Sequence, residues 1–382
     1  MPTPGMPIFK TGKGTKIVTL PDAALNKVTI EGYKSIRSAT VELRALNVLI
    51  GANGAGKSNF ISMFRLLSAI VRRELQLYVG SSGGANSILF QGSKITREVH
   101  FKLEFGENQY ECSLVPNSEG SLIFSKEYAY VWDTKYPRPY DVKLGQGHKE
   151  TRLFEDSSRV AKYTRDKMAA WTLYHFHDTG VQAAVKQPCS IADNLSLRGD
   201  AGNLAAYLML IKERHEKSYK EILDAVRLAA PFFDDFILRQ NPYDADKTRL
   251  EWRQKGSESV LSPGQLSDGT LRFICLAVAL LQPTPPPTIV IDEPELGLHP
   301  YAITLLAGIM QSTAARRQVI VSTQSVPLVN QFAPEDLIVV DRIGAESMFN
   351  RLDSGALAAW LDDYGMGDLW EKNVIGGRPS HA

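Results

Sequence analysis

Between the apolar run Leu46-Asn-Val-Leu-Ile50 and a stretch of helical periodicity lies Gly51-Ala-Asn-Gly-Ala-Gly-Lys-Ser58. The segment fits the P-loop pattern G-x-x-x-x-G-K-[ST], and it constrains the fold more than any other feature of the chain. Its glycines reach positive φ and let successive backbone N–H groups converge on an anion. The helix predicted to begin near Lys57 adds the positive end of its dipole to that field. Lys57 is placed to bridge the β- and γ-phosphates of a nucleotide, and the Ser58 hydroxyl to ligate Mg²⁺. A loop of this kind needs a strand before it and a helix after it, which points to an α/β fold.

A second motif supplies acids. Thr288-Ile-Val-Ile-Asp292-Glu293-Pro-Glu295 puts carboxylates at the end of an apolar strand. Buried parallel strands deliver their last residues to the carboxyl edge of the sheet, where ligands bind in such folds. Asp292 is expected beside Mg²⁺, directly or through water. Glu293, one residue on, is the candidate for orienting and deprotonating the attacking water. Glu295 reads as a loop or helix-start acid rather than a catalyst.

The third motif, Leu266-Ser-Asp-Gly-Thr-Leu-Arg272, precedes an apolar helix. Ser267 and the N–H groups near Gly269 form a helix start suited to an anion. One nucleotide in one subunit has no need of a second phosphate-binding helix terminus. The segment makes sense if it completes the γ-phosphate site of another copy.

The remaining sequence frames these motifs. Residues 1–27, rich in Pro, Gly, Lys and Thr, are expected to form a loosely ordered arm, and 28–382 a single unit. Within that unit the reading places a P-loop and β lobe at 28–131, an inserted, partly helical region at 132–260, and a lobe with the third motif and the acid pair at 261–382. Val99, Phe101, Leu103 and Phe105 alternate with polar residues, as in antiparallel strands with one solvated face. Helices are predicted over Asn59–Leu77, Asn203–Ala229, Leu271–Leu281 and Tyr301–Ala315, with buried strands at Thr288–Ile291, Gln318–Ser322 and Leu337–Val340. Residues 133–165 read as polar and irregular. Short β-branched runs between helices argue for a mostly parallel sheet covered on both faces.

Composition is that of a globular chain, 44% hydrophobic and 22% charged with net charge +1, so there is no bulk electrostatic signature of nucleic-acid binding. Cys112, Cys189 and Cys275 fall in no metal-ligand spacing and read as reduced thiols. No apolar run has the length of a membrane span, and no secretion signal is recognisable at the N-terminus, so a cytoplasmic protein is expected.

Taken together, Gly51–Asn59, Leu266–Arg272 and Ile291-Asp-Glu-Pro-Glu-Leu-Gly-Leu-His-Pro300 resemble the ATPase heads of the SMC and RecF group, above all its short stand-alone prokaryotic AAA-type members. The resemblance runs from Val28 to about Pro379 and is looser across residues 80–200. It implies a P-loop NTPase with an ABC-type two-lobed head: a mostly parallel core sheet, an antiparallel β lobe and a helical lobe. It also implies ATP and Mg²⁺ as ligands, and draws Gly51, Asn53, Gly54, Ala55, Gly56 and Asn59 into the nucleotide site. Two heads would close on two ATP molecules, each held by one P-loop and the opposite Ser267–Gly269, with Gly297-Leu-His299-Pro300 crossing the homodimer interface. Members of the group often serve genome maintenance or antiviral defence beside a separately encoded nuclease, and DNA is a further candidate partner.

The chain departs from the group in places. Where relatives carry a histidine that senses the γ-phosphate, this sequence has Gln324, which hydrogen-bonds phosphate or water but carries no proton or charge. Slow hydrolysis follows as an expectation, with ATP acting largely as a clamp. The stretch between P-loop and Leu266 is too rich in Pro, Gly and irregular segments for the long coiled coil of SMC proteins. No acidic cluster after Gln324 suits a nuclease centre, so the chain is not expected to cut DNA unaided.

Other signals are weaker. His175-Phe-His177-Asp178 has alternate residues on one face, but packing or hydrogen bonding is the preferred reading over a metal site. Gln91, in Leu-Phe-Gln-Gly, is a poor match to the glutamine that links Mg²⁺ to the variable lobe. Arg72-Arg73 and Arg316-Arg317 read as solvated helix faces rather than phosphate contacts. Two further functional readings stay open: an ATP-dependent scaffold with incidental hydrolysis, and a monomeric small-molecule phosphotransferase.

Overall fold

Two six-stranded sheets share the helix that begins at Lys57. The computed structural model describes residues 24–133, 135, 137–361 and 364–377. In chain order, β1 (Lys27–Tyr33), β2 (Ile36–Glu42) and β3 (Leu46–Ile50) lead into helix α1 (Lys57–Val71). Helices α2 (Leu75–Ser81) and α3 (Ala85–Ile88) precede β4 (Val99–Phe105), β5 (Asn108–Pro116), β6 (Leu122–Val131) and β7 (Tyr140–Gly145). Then come α4 (Arg159–Ala169), β8 (Trp171–Tyr174), β9 (Cys189–Ser190), α5 (Leu204–Arg214) and α6 (Glu216–Ala229). Short strands follow: β10 (Phe233–Ile237), β11 (Gln240–Asn241), β12 (Asp244–Thr248), β13 (Glu251–Gln254) and β14 (Val260–Leu261). The chain continues through α7 (Asp268–Leu281), β15 (Thr288–Asp292), α8 (Pro300–Ala314), β16 (Gln318–Thr323) and α9 (Val326–Val329). It finishes with β17 (Leu337–Ile343), β18 (Glu346–Arg351), α10 (Ser354–Leu361) and α11 (Met366–Glu371).

The core sheet has the order β18-β17-β3-β16-β15-β8, with every pair parallel except β17–β18. Period-two alternation explains its near-continuous apolar strands. Ile289, Ile291, Val319, Val321, Leu337 and Val339 face one hydrophobic core, which contains α5 to α8. Val290, Ile320, Ile338 and Val340 face the other, built from α1 and the antiparallel sheet β2-β1-β4-β5-β6-β7. Helix α1 is accordingly apolar around most of its surface, with Phe60 and Phe64 fully buried. Truncating either ring to Ala should cost about 3–5 kcal/mol. The antiparallel lobe follows the expected alternation, since Val99, Phe101, Leu103 and Phe105 are buried and the residues between them half-exposed.

Several boundaries differ from the sequence reading. Residues 1–23 of the expected arm lie outside the described residues, but its end is anchored: Leu25 is buried, and its N–H and C=O bond the Gln318 side chain at 3.1 and 2.8 Å. The helix expected to reach Leu77 stops at Val71, because Arg73 turns left-handed at φ 60°. The N–H groups of Arg73 and Glu74 then return to Ile70 and Ala69, a Schellman ending without glycine. The single helix expected over 203–229 breaks at His215, which serves as C-cap of α5 and N-cap of α6. The stretch read as irregular contains β7 and α4, and the Ser158 side chain caps α4 by accepting from Ala161 N–H at 3.1 Å. Among the described residues no helix is long and apolar enough to cross a membrane. All three cysteines are free, with Cys112 and Cys275 buried.

Candidate nucleotide site at the carboxyl edge of the core sheet

Strand register gathers the motifs. Ile50 of β3 pairs with Thr323 of β16, and Val339 of β17 lies on its other side. Asp292 of β15 pairs with Ser322, and Ile291 with Tyr174 of β8. The P-loop, Gln324, the acid pair and the His175–His177 segment therefore emerge at one level, on four neighbouring strands.

The loop from Gly51 to Gly56 winds around its own lysine. Lys57 is buried, and its ammonium donates to the carbonyls of Gly51 at 2.7 Å and Ala52 at 3.0 Å. Burial lowers its pKa, opposed by the negative charges of Glu293, Asp292 and Glu295, which places the acid loop within electrostatic reach of the P-loop lysine. Gly51 and Gly56 have φ of 156° and 116°, and a Cβ on either would run into Val340 or Ser347. Asn53, Gly54 and Ser58 are exposed, whereas Ala55 is buried. Helix α1 starts at Gly56 without a side-chain cap and with no acid in its first turn. Its N–H groups are left for an outside acceptor, so these residues fit a polyphosphate.

Support for the loop comes from Ser35, Arg342 and Ser347, which the sequence did not single out, together with Asn59, which it did. Ser347 Oγ on β18 donates to the Ala55 carbonyl at 2.6 Å, Ser35 Oγ lies 2.7 Å from Ser347 Oγ, and Asn59 Nδ2 donates to Ser35 Oγ at 2.7 Å. Arg342 Nη1 donates to the Gly54 carbonyl at 3.0 Å. Asn59 thus braces the β1–β2 turn, and its amide is directed at Ser35. Lys34, Ser35, Asn59, Gln91 and Arg342 line one open groove beside the loop. Gln91 is exposed there in a left-handed backbone, φ 54°, a conformation unusual for glutamine.

At the acid pair, Asp292 Oδ1 accepts from Ser322 Oγ, and both Asp292 and Glu293 are half-buried. Glu293 also has a left-handed backbone, φ 45°. Its carboxylate accepts from Gln324 Nε2, so Gln324 reaches the candidate base directly. Glu295 lies in the loop after β15, in keeping with its reading as a loop acid, but it does not face solvent. It is buried between β15 and β16, where Oε1 accepts from Thr323 Oγ1 at 2.5 Å and Gln324 N–H at 3.0 Å. Burial raises its pKa, and Oε2 is buried with no partner among the described residues. Only the side-by-side placement of two strands distant in sequence reveals this; no linear pattern links Glu295 to Gln324.

The Leu266–Arg272 motif opens α7 as expected, with Ser267 Oγ accepting from Thr270 N–H at 3.2 Å. Ser267 is exposed and Gly269 half-buried, with no room for a Cβ because of the Gly297 carbonyl. Helices α7 and α1 pack on opposite faces of the core sheet. Arg272 is buried and donates to the carbonyls of Phe176 at 2.9 Å, His177 at 3.1 Å and Leu296. Beyond Leu296, Gly297 and His299 are exposed while Leu298 packs against the core, and His299 caps α8. His175 and His177 stack with ring centroids 4.4 Å apart, and each is hydrogen-bonded: His175 Nδ1 is 3.2 Å from Arg65 Nη2, and His177 Nε2 donates to the Asp292 carbonyl at 2.8 Å. Arg72, Arg73 and Arg316 are exposed.

With this geometry in hand, comparisons place the chain. A family described as "AAA domain, putative AbiEii toxin, Type IV TA system" matches residues 46–330. No curated protein matches the sequence significantly. Among solved structures, the chain is similar to an SMC head bound to the C-winged helix domain of ScpA, with a TM-score of 0.57 at 15% identity over 87% of this chain and 99% of that one. It is also similar to an Smc head with an extended coiled coil, bound to the C-terminal domain of ScpA from Pyrococcus furiosus, with a TM-score of 0.54 at 15% identity over 89% and 98%. Identity this low speaks for the fold alone. The chain belongs to the AAA domain family described as putative AbiEii toxin of type IV TA systems, and its fold is like that of SMC heads.

Proposed function

We propose that the protein binds MgATP at Gly51–Ser58 and hydrolyses it while two copies are closed on two nucleotides. The observation that carries this reading is the placement of Ser267 and Gly269. Ser267, exposed, and Gly269, half-buried, start α7 on the face of the sheet opposite α1, where they suit a phosphate held by another subunit better than one held by their own. Within a site, Lys57 and the loop N–H groups bind the phosphates. Magnesium held by Ser58 and Asp292 would neutralise charge on the β- and γ-phosphates. Glu293 takes a proton from water as that water's oxygen bonds to the γ-phosphorus and the bond to the ADP oxygen breaks. Gln324, bonded to Glu293, holds the carboxylate and the water in line.

The test is sedimentation of Glu293→Gln with and without MgATP. A nucleotide-dependent dimer is expected, and adding Ser267→Arg should return it to monomer with ATP still bound. A nucleotide-loaded Glu293→Gln protein that stays monomeric at high concentration would sink the shared-site reading. The biological role we infer is an ATP-gated motor or sensor in genome maintenance or antiviral defence, acting on DNA or on a separate effector such as a nuclease. In support, the family description names toxin–antitoxin systems and the similar SMC heads are bound to ScpA.

A scaffold with incidental hydrolysis is the second reading, favoured by the neutral Gln324 amide on Glu293. In cells, a scaffold should tolerate Glu293→Gln and fail with Lys57→Ala, whereas a motor should fail with both.

A further inference from the structure

The peptide joining Asp292 to Glu293 is gripped at both ends. Its carbonyl accepts from His177 Nε2 at 2.8 Å, and its N–H donates to the Ser322 carbonyl at 2.9 Å. The first grip comes from the segment after β8 and the second from β16, the two strands that flank β15. Immediately after this peptide, Glu293 holds φ 45°. A glutamate in the left-handed region is strained by about 1–3 kcal/mol, and such a conformation persists only where the surroundings fix it. Proline at the next position disfavours the α region for Glu293 and adds to the constraint.

We propose that His177 is a positioning residue for Glu293: its Nε2–H fixes the plane of the Asp292–Glu293 peptide and so the direction in which the Glu293 carboxylate leaves the backbone. This rests on the reading of Glu293 as the base of hydrolysis. A carbonyl only accepts, so Nε2 carries the proton and the hydrogen bond needs no charge on the ring. The donor is itself held still. Arg272 binds the carbonyls of Phe176 and His177, the Phe176 ring is buried, and the His175 ring stacks on His177. His175 N–H bonds the Gly199 carbonyl at 2.8 Å, which closes the base of the segment. The His175-Phe-His177 signal is thereby explained without a metal.

Two substitutions separate a positioning donor from a packing ring. His177→Phe keeps the ring and removes the donor; His177→Gln keeps a donor at a comparable reach and removes the ring. For His177→Phe, kcat should fall roughly a hundredfold, the loss that misplacement of a reacting group by about an ångström brings. KM and the dissociation constant for a fluorescent ATP analogue should stay unchanged. His177→Gln should recover to within a fewfold of the parent. In a Glu293→Gln background, His177→Phe should lower the residual rate no further, since the group it positions is gone.

Wild-type turnover in His177→Phe overturns the assignment. So does loss of nucleotide binding, which would mark a structural role, or an equal further loss in the Glu293→Gln background. If Glu293→Gln itself hydrolyses at the parental rate, the reading of the base fails first, and that result is seen without touching His177.

Discussion

Two buried glutamates occupy the two lobes and are treated in opposite ways. Glu127, fully buried in the antiparallel lobe, receives Tyr110 Oη at 2.7 Å, His148 Nε2 at 2.9 Å, Arg152 N–H at 3.0 Å and the Thr151 hydroxyl. Both of its oxygens are satisfied. Glu295, under the acid pair, has two donors on one oxygen and none on the other. A saturated carboxylate ties segments together and has nothing left to offer. A half-saturated one keeps a cost in the fold, and such costs collect where geometry serves chemistry. The β lobe is built for permanence, the sheet edge for use.

The largest expected effect tests the permanent side. Glu127→Ala strands a tyrosine, a threonine and a backbone N–H in the interior, and should lower stability by about 3 kcal/mol or more, read from the denaturant midpoint. ATP affinity should not change. A weakened site in a folded Glu127→Ala protein would erase the distinction between the lobes.

Glu295 should answer the other way. Glu295→Ala leaves Thr323 and the Gln324 N–H without their acceptor but also removes an unpartnered buried oxygen, so turnover should fall roughly tenfold while stability falls less than in Glu127→Ala. Glu295→Gln, which keeps an acceptor oxygen there, should restore most of the rate. Equal losses in both variants would show that charge, not placement, is what Glu295 contributes.

Asp336 is an intermediate case and gives the smallest effect. Burial pushes its pKa up to about 6, against the opposing hydrogen bond from Ala333 and the charge of Arg351. The folded state therefore holds this proton more tightly than the unfolded chain, and the associated stability is lost as pH rises from the ordinary aspartate value through about 6. Asp336→Asn should melt higher than the parent by roughly 1–2 °C at pH 8, and the gain should shrink through pH 6 and vanish only near the ordinary aspartate value of about 4. A gain that grows on acidification would reverse the sign and refute the argument.

How much of this was legible in the sequence follows from what each feature needs. The P-loop, the acid pair and the Ser267 helix start are local: one strand end or one helix start presents each whole, so linear spacing records them. The alternation of β4 and the apolar runs of β15 to β17 are equally local. Glu295 and Gln324 meet only because β15 lies beside β16, and the Ser347–Ser35–Asn59 brace joins three distant segments. The end of α1 was hidden for a different reason. Its left-handed residue is Arg73, so the glycine that usually marks such an ending is missing.

Arg272 sits on the helix whose first turn faces outward, yet its guanidinium grips the backbone at Phe176, His177 and Leu296. Helix α7 cannot slide or tilt without dragging both the segment that touches Asp292 and the exposed loop that follows Glu295. On the shared-site proposal, a neighbour docking at Ser267 would load the helix whose Arg272 holds both of these segments.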